Sequence, residues 1–450
     1  MRSTFVGKTL SKLYVQVLIA IVIGILLGHF MPELGTKLKP LGDLFIKLIK
    51  MLLAPIIFAS IVVGIARMNN VHEAGRVGLK AVLYFEIVST MALVIGLVVV
   101  NLFKPGAGMN IDPAHIDGST VATYTQKAQQ QGGAFDFILN IVPNSVVGAF
   151  ANGDMLPIIF FSVLFAIALA RAGKTVEPFV NMLDQFLHGM FGVVRIAMYV
   201  APLGAFGGMA FTVGKYGIGT LLSYGQLILC LYLTSAVFIV LVLGIVMRAS
   251  GLSLFKFMRY IKDELFVTLG TASTEAVLPQ MLVKLEKMGI PKPVVGLVLP
   301  TGYAFNADGT AIYLTMAAIF ISQAMNIDLT LWDQLVLLGV LLFTSKGSAG
   351  VAGAGFVALA ATLASMHKIP VEGLVLLLGV DRFLNEARAF TNLVGNGVAT
   401  VVVARWEKAI DMQQARAVLE RGSAMPDEAP REDLSDSASM PAGVLSKRHA

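Results

Sequence analysis

The chain has 450 residues, and its 34 lysine and arginine residues against 28 acidic residues give a formal net charge of +6. Charged residues make up 14% of the sequence, well below the share of about 25% in soluble proteins, whereas 56% of residues are hydrophobic and the mean hydropathy is +0.78. These values exclude a water-soluble globule and a disordered chain, and a single cysteine, Cys230, excludes a disulfide scaffold. The composition therefore predicts an integral membrane protein.

Six apolar segments precede residue 250, and each can cross about 30 Å of hydrocarbon as a helix. The first follows a short basic stretch as in a signal peptide, but it is long and more apolar segments follow, so we interpret it as a retained helix. We predict spans at residues 13–30, 44–66, 79–103, 136–172 with a break near Asn152 and Gly153, 178–213 and 219–247.

Lysine and arginine recur at alternate ends of these segments, which places both termini in the cytoplasm. Because the basic residues lie between apolar spans rather than along one stripe, a nucleic-acid partner is not expected. The connector over residues 104–135 is too polar for lipid and is interpreted as an extramembrane loop. The charged stretch over residues 406–450 predicts a cytoplasmic tail that is partly disordered.

Two later segments have polar middles and short arms. The segment Phe255–Ile290 contains Thr271–Glu275 at its centre, and each arm has only about 15 residues, too few to cross a bilayer. A second such segment is centred on Thr344–Gly355 and belongs to the opposite face. We predict two re-entrant hairpins of opposite orientation, a pattern typical of transporters with inverted repeats, although an ordinary glycine-rich loop in water is the alternative for each tip.

The helix predicted over Val294–Ile321 carries two interruptions, Pro300–Gly302 and Asn306–Thr310. Asp308 would lie near the bilayer centre, where a charge is costly unless it is paired or binds a ligand. An unwound turn of this composition can offer oxygens to a small cation such as Na⁺, whereas a salt bridge with a purely structural role is the alternative.

The last apolar helix has one polar face. At about 100° per residue, five of its polar residues fall within roughly 80°: Asp381, Asn385, Arg388, Asn392 and Asn396. Arg388 is a natural anchor for an anionic substrate because its guanidinium binds carboxylates through two parallel hydrogen bonds. Alternatively, it pairs with Asp381 or Glu386 for structural reasons, while Arg382 and Glu386 have the spacing of a surface pair.

These motifs resemble the dicarboxylate/amino acid:cation symporter family, the prokaryotic relatives of glutamate transporters, and most closely its bacterial members for four-carbon dicarboxylates. The resemblance covers about Leu13 to Trp406 and is most specific in four motifs, Thr271–Pro279, Asn306–Thr310, Ser345–Gly355 and Asp381–Asn396. It implies an all-α inverted-repeat fold with eight transmembrane helices and two re-entrant hairpins. It also implies a homotrimer, with six helices in residues 1–250 as scaffold and part of the transport unit, and a transport core in residues 251–405.

The resemblance also implies the binding residues. Those expected to border the substrate are Ser273, Thr274, Thr310, Val351, Gly355, Asn385, Arg388 and Asn392. Those expected at cation positions, with Na⁺ as the possible metal, are Gly302, Asn306, Asp308, Ser345, Ser348, Asn392 and Asn396.

Some positions depart from the family pattern. Asn385 stands where amino-acid carriers have an aspartate for the substrate ammonium, which favours succinate, fumarate or malate. Asn396 replaces an aspartate of sodium-coupled relatives, and Phe85 and Val88 replace polar residues of another sodium site, so the coupling cation is H⁺ or Na⁺. Glu86 is either a proton carrier or a neutral side chain packed between helices.

Together, the residues and the resemblance predict a secondary active symporter, not an enzyme, without a prosthetic cofactor. It would import four-carbon dicarboxylates from the periplasm across the bacterial inner membrane, among lipids, by elevator-type alternating access. A glutamate/aspartate:cation symporter on the same fold is the nearest alternative, and a passive anion channel is another. An intramembrane hydrolase using Ser345 and Lys346 is the enzyme alternative, but the chain has no G-x-S-x-G elbow.

Overall fold

The computed structural model describes residues 13–66, 71–112, 139, 141–345, 354–366, 368–378 and 380–421. Over these residues the protein is built of helices, and no β-strand occurs in them. Most of the connector expected over residues 104–135, the tip of the second hairpin at residues 346–353 and the chain after Arg421 lie outside this description.

The first half of the chain forms a series of apolar helices, several of them longer than the sequence predicted. Their bounds are Leu13–Phe30, Pro32–Lys37, Lys39–Ala66, Val71–Phe103, Val146–Asn152, Met155–Ala172, Glu177–Met198, Ala201–Ser223 and Gly225–Ala249, the last with a π-helical turn at Phe238–Leu243. The break predicted near Asn152 and Gly153 is confirmed, because Gly153 adopts φ of 74° and a new helix begins at Met155.

One predicted span is wrong in its detail. Residues 178–213 do not form a single straight helix, because the chain bends by 50° between Glu177–Met198 and Ala201–Lys215. By length and composition, four described helices can cross a membrane, or five when this bent pair is counted as one span.

The second half contains the interrupted elements. The segment predicted as the first hairpin, and called the first hairpin below, consists of Leu254–Tyr260, Lys262–Thr271, a 3₁₀ turn at Glu275–Val277, and Leu278–Lys287. The broken helix consists of Lys292–Phe305 and Asp308–Ala324, and the described arms of the second hairpin are Leu331–Thr344 and Ala354–Met366. The short turns Val371–Leu374 and Val375–Leu378 lead into the polar-face helix, Asp381–Trp406, and the terminal helix Met412–Arg421 follows it.

The polar-face helix has 26 residues, so it is about 39 Å long, enough to cross a bilayer. It is too polar to qualify as a span by hydropathy alone. The reason is that protein rather than lipid surrounds it, since Leu393, Val398 and Thr400 are fully buried. Buried polar residues on such a helix indicate a binding site rather than a lipid contact.

Most helix contacts fall within two groups, which also contact each other, since Lys292–Phe305 packs against Lys39–Ala66 and Lys262–Thr271 packs against Leu13–Phe30 and Ala201–Ser223. The first unites Leu13–Phe30, Lys39–Ala66, Met155–Ala172, Glu177–Met198 and Ala201–Ser223, whereas the second unites Val71–Phe103, Gly225–Ala249, both hairpins, the broken helix and the polar-face helix. Glycines bring the first group close together, because a Cβ added to Gly28 would lie 2.6 Å from the carbonyl oxygen of Ala210. Small residues of this kind allow membrane helices to pack backbone against backbone.

Ion pairs tie helix ends together. Glu407 receives contacts from Arg76 at 2.8 Å and Lys80 at 2.7 Å, which join the polar-face helix to Val71–Phe103. Partial burial acts to raise the pKa of Glu407, but hydrogen bonds from Lys80 and Arg76 outweigh it and lower that pKa. At the base of the second hairpin, Lys368 lies 2.6 Å from Asp333 and links the two arms.

Candidate functional site

The broken helix interrupts the core at one point. Lys292–Phe305 ends at Asn306, and Ala307 precedes the second half, with non-helical φ/ψ values of −105°/67° and −97°/60° for these two residues. The interruption predicted over Asn306–Thr310 is therefore confirmed at its first two residues. The one predicted over Pro300–Gly302 is wrong, since the helix continues through Pro300 and loses only the hydrogen bond that proline cannot donate.

Asn392 closes the gap that the break leaves. Its Oδ1 accepts hydrogen bonds from the backbone N–H of Gly309 at 2.7 Å and of Thr310 at 3.3 Å. Its Nδ2 donates to the Thr310 hydroxyl at 3.1 Å. The amide thus satisfies two backbone donors at the start of the second half-helix, as a capping side chain does, and fixes the polar-face helix against the break.

Four of the predicted cation residues converge beside this break. Asn306 and Asp308 are fully buried, and Nδ2 of Asn306 lies 3.2 Å from Oδ2 of Asp308. Asn396 is 2% exposed, and a Cβ added to Gly302 would lie 2.5 Å from its Oδ1. Among the described residues, neither Oδ1 of Asn306 nor Oδ1 of Asn396 has a hydrogen-bond donor. Buried oxygens without donors are suited to a hard cation that takes oxygen ligands.

The side of this cluster that faces Val71–Phe103 is apolar. Phe85 is fully buried and Val88 is 3% exposed, and the Phe85 ring lies 3.4 Å from the position of a Cβ added to Gly302. Tyr84 is buried on the same helix. Glu86 is half-buried and has an interaction partner.

Arg388 lies one to two turns from the cation cluster along the polar-face helix. Its side chain is 5% exposed, and its guanidinium lies 4.5 Å from the centre of the Tyr313 ring. Nη1 contacts Oδ1 of Asp381 at 3.4 Å, and the Tyr313 hydroxyl donates to the same oxygen at 3.1 Å. Of the two acids considered as structural partners, Asp381 is therefore within ion-pairing distance, whereas Glu386 is not.

The contact with Asp381 does not saturate the guanidinium. It is long for a charge-assisted hydrogen bond, which is usually about 2.7–2.9 Å, and it uses one nitrogen. Nε of Arg388 is buried and has no hydrogen-bond acceptor within the described part of the chain. A carboxylate-bearing ligand would supply the missing acceptors.

The polar-face helix also contacts both hairpins. Nδ2 of Asn385 donates to the carbonyl of Ala272 at 2.8 Å, at the point where the left-handed φ of Ala272, 49°, ends the first arm of the first hairpin. Gly355, at the start of the return arm of the second hairpin, lies against the guanidinium, because a Cβ there would be 2.7 Å from Nη1 of Arg388. Three side chains on one helix face, at positions 385, 388 and 392, thus meet the first hairpin, the second hairpin and the broken helix.

Three of the other predicted residues lie within the described part of the chain. In the first hairpin, Ser273 is half-buried and Thr274 is 7% exposed. Ser345 is 2% exposed at the end of the first arm of the second hairpin, whose arms are joined by a 2.8 Å hydrogen bond between the hydroxyls of Thr344 and Thr362. Ser348 and Val351 fall outside the described residues.

Sequence reasoning missed two features of this region. One is Tyr313, which holds Asp381 and stacks on Arg388; its position one turn after Thr310 was the available signal. The other is an ion pair between Lys50 and Glu275, 3.6 Å apart, which joins the first group of helices to the tip of the first hairpin. Glu275 was read only as part of a polar tip, although its side chain is 3% exposed.

Several long apolar helices, together with a broken helix and a helix that buries polar residues and an arginine, define an integral membrane protein of the kind that transporters are. The chain belongs to the sodium:dicarboxylate symporter family, whose model matches residues 13–406.

Similar proteins from several bacteria carry the name C4-dicarboxylate transport protein. One from Pectobacterium atrosepticum is 58% identical over 91% of this chain and 95% of its own length. One from Edwardsiella ictaluri is 56% identical over 93% of this chain and 98% of its own, and one from Laribacter hongkongensis is 58% identical over 92% and 93%. The family is one of transporters rather than enzymes, which removes the hydrolase alternative.

Proposed function

We propose that this protein is a secondary active symporter that imports four-carbon dicarboxylates such as succinate, fumarate and malate. The observation that carries the proposal is Arg388, a buried arginine with spare donors at the point where both hairpins meet the polar-face helix. The names of the relatives agree with this substrate class.

In this proposal one carboxylate of the substrate binds the guanidinium of Arg388 in the two-pronged geometry that arginine favours. Asp381 and Tyr313 hold the guanidinium, and Gly355 at the start of the return arm of the second hairpin lies against it. Ser273, Thr274 and Thr310 of the first hairpin and the broken helix would donate hydroxyl hydrogen bonds to the rest of the substrate, with Val351 and Gly355 lining the gate formed by the second hairpin.

Asn385 supports a substrate without an amino group. Its amide nitrogen is already used by the carbonyl of Ala272, and the side chain carries no charge that could balance an ammonium. An amino-acid substrate would bury that ammonium without a counter-charge, which is costly. A glutamate/aspartate carrier is therefore the less favoured candidate.

The coupling cation is proposed to bind at the oxygen cluster beside the break. The side-chain oxygens of Asn306, Asp308 and Asn396 suit Na⁺, because the amide oxygens of Asn306 and Asn396 are buried without a hydrogen-bond donor. Gly302 has no side chain and so leaves room for the Asn396 amide. Ser345, Ser348 and Asn392 would complete cation positions closer to the substrate. A bound cation would offset the charge of the dicarboxylate and couple its gradient to uptake, and H⁺ in place of Na⁺ is the alternative.

The proposed architecture comprises eight transmembrane helices and two re-entrant hairpins in a homotrimer of the bacterial inner membrane, with both termini cytoplasmic. Residues 1–250 supply the scaffold and two helices of the moving unit, Val71–Phe103 and Gly225–Ala249, which pack with the core of residues 251–405. That moving unit would slide past the scaffold in elevator-type alternating access, with the second hairpin as outer gate.

The test is uptake of radiolabelled succinate by purified protein in liposomes, with Na⁺ and pH gradients imposed separately. We expect uphill accumulation driven by at least one gradient and abolished by the matching ionophore. Fumarate in excess should compete for uptake, whereas aspartate should not. Equilibration without accumulation would indicate a passive channel, and equal competition by aspartate would indicate an amino-acid carrier.

A further inference from the structure

A pocket of about 710 Å³ opens where the end of Gly225–Ala249 meets the start of the first hairpin and the terminal helix Met412–Arg421. We call it the basic pocket, because its charged residues are Arg248, Lys256, Arg416 and Glu420. It lies away from the substrate site and beside the ends of helices that the sequence assigns to the cytoplasmic side.

The charges of the basic pocket are not balanced. Lys256 pairs with Glu420 at 3.4 Å, and both side chains are more than half exposed. Within the described residues, neither Arg248 nor Arg416 has a carboxylate within ion-pairing distance. Two arginines therefore face the same cavity with a net charge of about +2.

One wall of the basic pocket is apolar and exposed. Val240 and Ile245, on successive turns of Gly225–Ala249, are 46% and 66% exposed, and Phe255 at the start of the first hairpin is 67% exposed. Val240 and Ile245 lie on a helix that is long and apolar enough to cross a membrane, so we expect their exposed side chains to contact hydrocarbon. The cavity thus combines two cations at one end with a lipid-facing wall that leads away from them.

The terminal helix holds Arg416 in place. Its inner face is buried, with Ala415 fully buried and Leu419 3% exposed. The backbone N–H of Asp411 donates to the carbonyl of Gly289 at 2.9 Å, and Nε2 of Gln414 donates to the carbonyl of Lys287 at 2.9 Å. The pocket is therefore bounded by packed elements on each side rather than by a loosely attached tail.

We propose that the basic pocket binds one anionic phospholipid, with its phosphate between Arg248 and Arg416 and one acyl chain along Val240 and Ile245. Inorganic phosphate would match the cations but leave the apolar wall exposed, and a neutral lipid would match the wall but leave the arginines without an anion. The acidic stretch over residues 427–436, which follows the terminal helix, would likewise match only the cations. A cytoplasmic location agrees with this ligand, because anionic lipids attract basic residues there.

The test is native mass spectrometry of the purified full-length protein titrated with phosphatidylglycerol, with phosphatidylcholine and inorganic phosphate as separate arms. The variant Arg248→Gln/Arg416→Gln should bind phosphatidylglycerol about 30-fold more weakly, equivalent to about 2 kcal/mol for two surface arginines. The matched control is Arg259→Gln/Arg405→Gln, which removes two exposed arginines outside the pocket and should bind as the wild type does.

The proposal would be overturned by unchanged phosphatidylglycerol binding of the pocket variant, by equal binding of phosphatidylcholine, or by displacement of the lipid by millimolar phosphate. A full-length variant in which the acidic residues of 427–436 are changed to their amides tests whether the acidic stretch occupies the pocket instead of a lipid. If it binds phosphatidylglycerol at least tenfold more tightly than the wild type, the acidic stretch occupies the pocket and the lipid does not. Succinate uptake measured alongside separates a failure of this inference from a failure of the proposed function.

Discussion

Arg388→Ala is the most informative single change in this protein. It removes the guanidinium that lies between Asp381, the Tyr313 ring and Gly355, and it leaves the buried neighbours unchanged. A hydrogen bond to a charged group contributes about 1.5–3 kcal/mol, so losing a two-pronged contact costs about 3–6 kcal/mol. Succinate affinity should therefore fall by at least 100-fold, and the uncompensated charge of Asp381 should add to the loss.

The assay is calorimetric titration of succinate into the purified protein in lipid nanodiscs. Arg388→Lys keeps the positive charge but cannot form two parallel hydrogen bonds to a carboxylate. It should bind succinate with an affinity between those of the wild type and the alanine variant. Arg405→Ala is the matched control, because Arg405 lies on the same helix but is exposed at its far end. A loss of less than threefold in Arg388→Ala, with the variant folded, would refute the role of the guanidinium as anion anchor.

Two further changes test neighbouring parts of the site, and a third tests the ion pair at the base of the second hairpin. Asn385→Asp replaces a donor to the first hairpin by an acceptor and adds a negative charge, so succinate binding should weaken at least tenfold, and unchanged affinity would contradict its placement. Gly355→Ala should displace the guanidinium and lower affinity about tenfold, whereas Gly339→Ala, with nothing within 4 Å, should not; equal effects would contradict the close approach. Hydrogen bonds from Lys368 and a neighbouring threonine lower the pKa of Asp333 to about 2. Because this pKa is lower in the folded protein than in the unfolded chain, the ionised carboxylate stabilises the fold above pH 4, and this stabilisation is lost as the pH falls toward 2. The Tm difference between wild type and Asp333→Asn should therefore stay constant from pH 8 to 5 and shrink below pH 4. A difference that changes between pH 8 and 5 would contradict that assignment.

The sequence predicted the parts of the fold in which polar residues interrupt apolar segments. Thr271–Glu275 and Asn306–Thr310 stand out because lipid cannot satisfy their backbone, so the hairpin tip and the helix break were visible before any packing was known. The polar face of Asp381–Trp406 was equally visible from its periodicity.

Other features depend on neighbours that are distant in sequence. Pro300 is compatible with either a break or a continuous helix, and only the surrounding packing decides between them. The bend after Met198, by contrast, does have a local signal, because Pro202 follows it in the first turn of Ala201–Ser223, where proline favours the start of a new helix. Tyr313 belongs to the site through its contacts with Asp381 and Arg388, which are 68 and 75 residues away along the chain.

The Asn392 cap shows how the two kinds of information combine. Its place on the polar face was predicted from helical periodicity, but its partners, the N–H groups of Gly309 and Thr310, became evident only in the structure. A polar residue on a buried face was predicted to bind substrate or cation, and it also satisfies the backbone at the break. The same side chain thus positions the site as well as lining it.

The most direct measurement is a cryo-electron microscopy map of the protein in nanodiscs with fumarate. The account predicts density for the ligand between the two hairpins, with one carboxylate about 2.7–2.9 Å from the guanidinium of Arg388. Ligand density elsewhere, or a guanidinium engaged only with Asp381 while fumarate is bound, would contradict it.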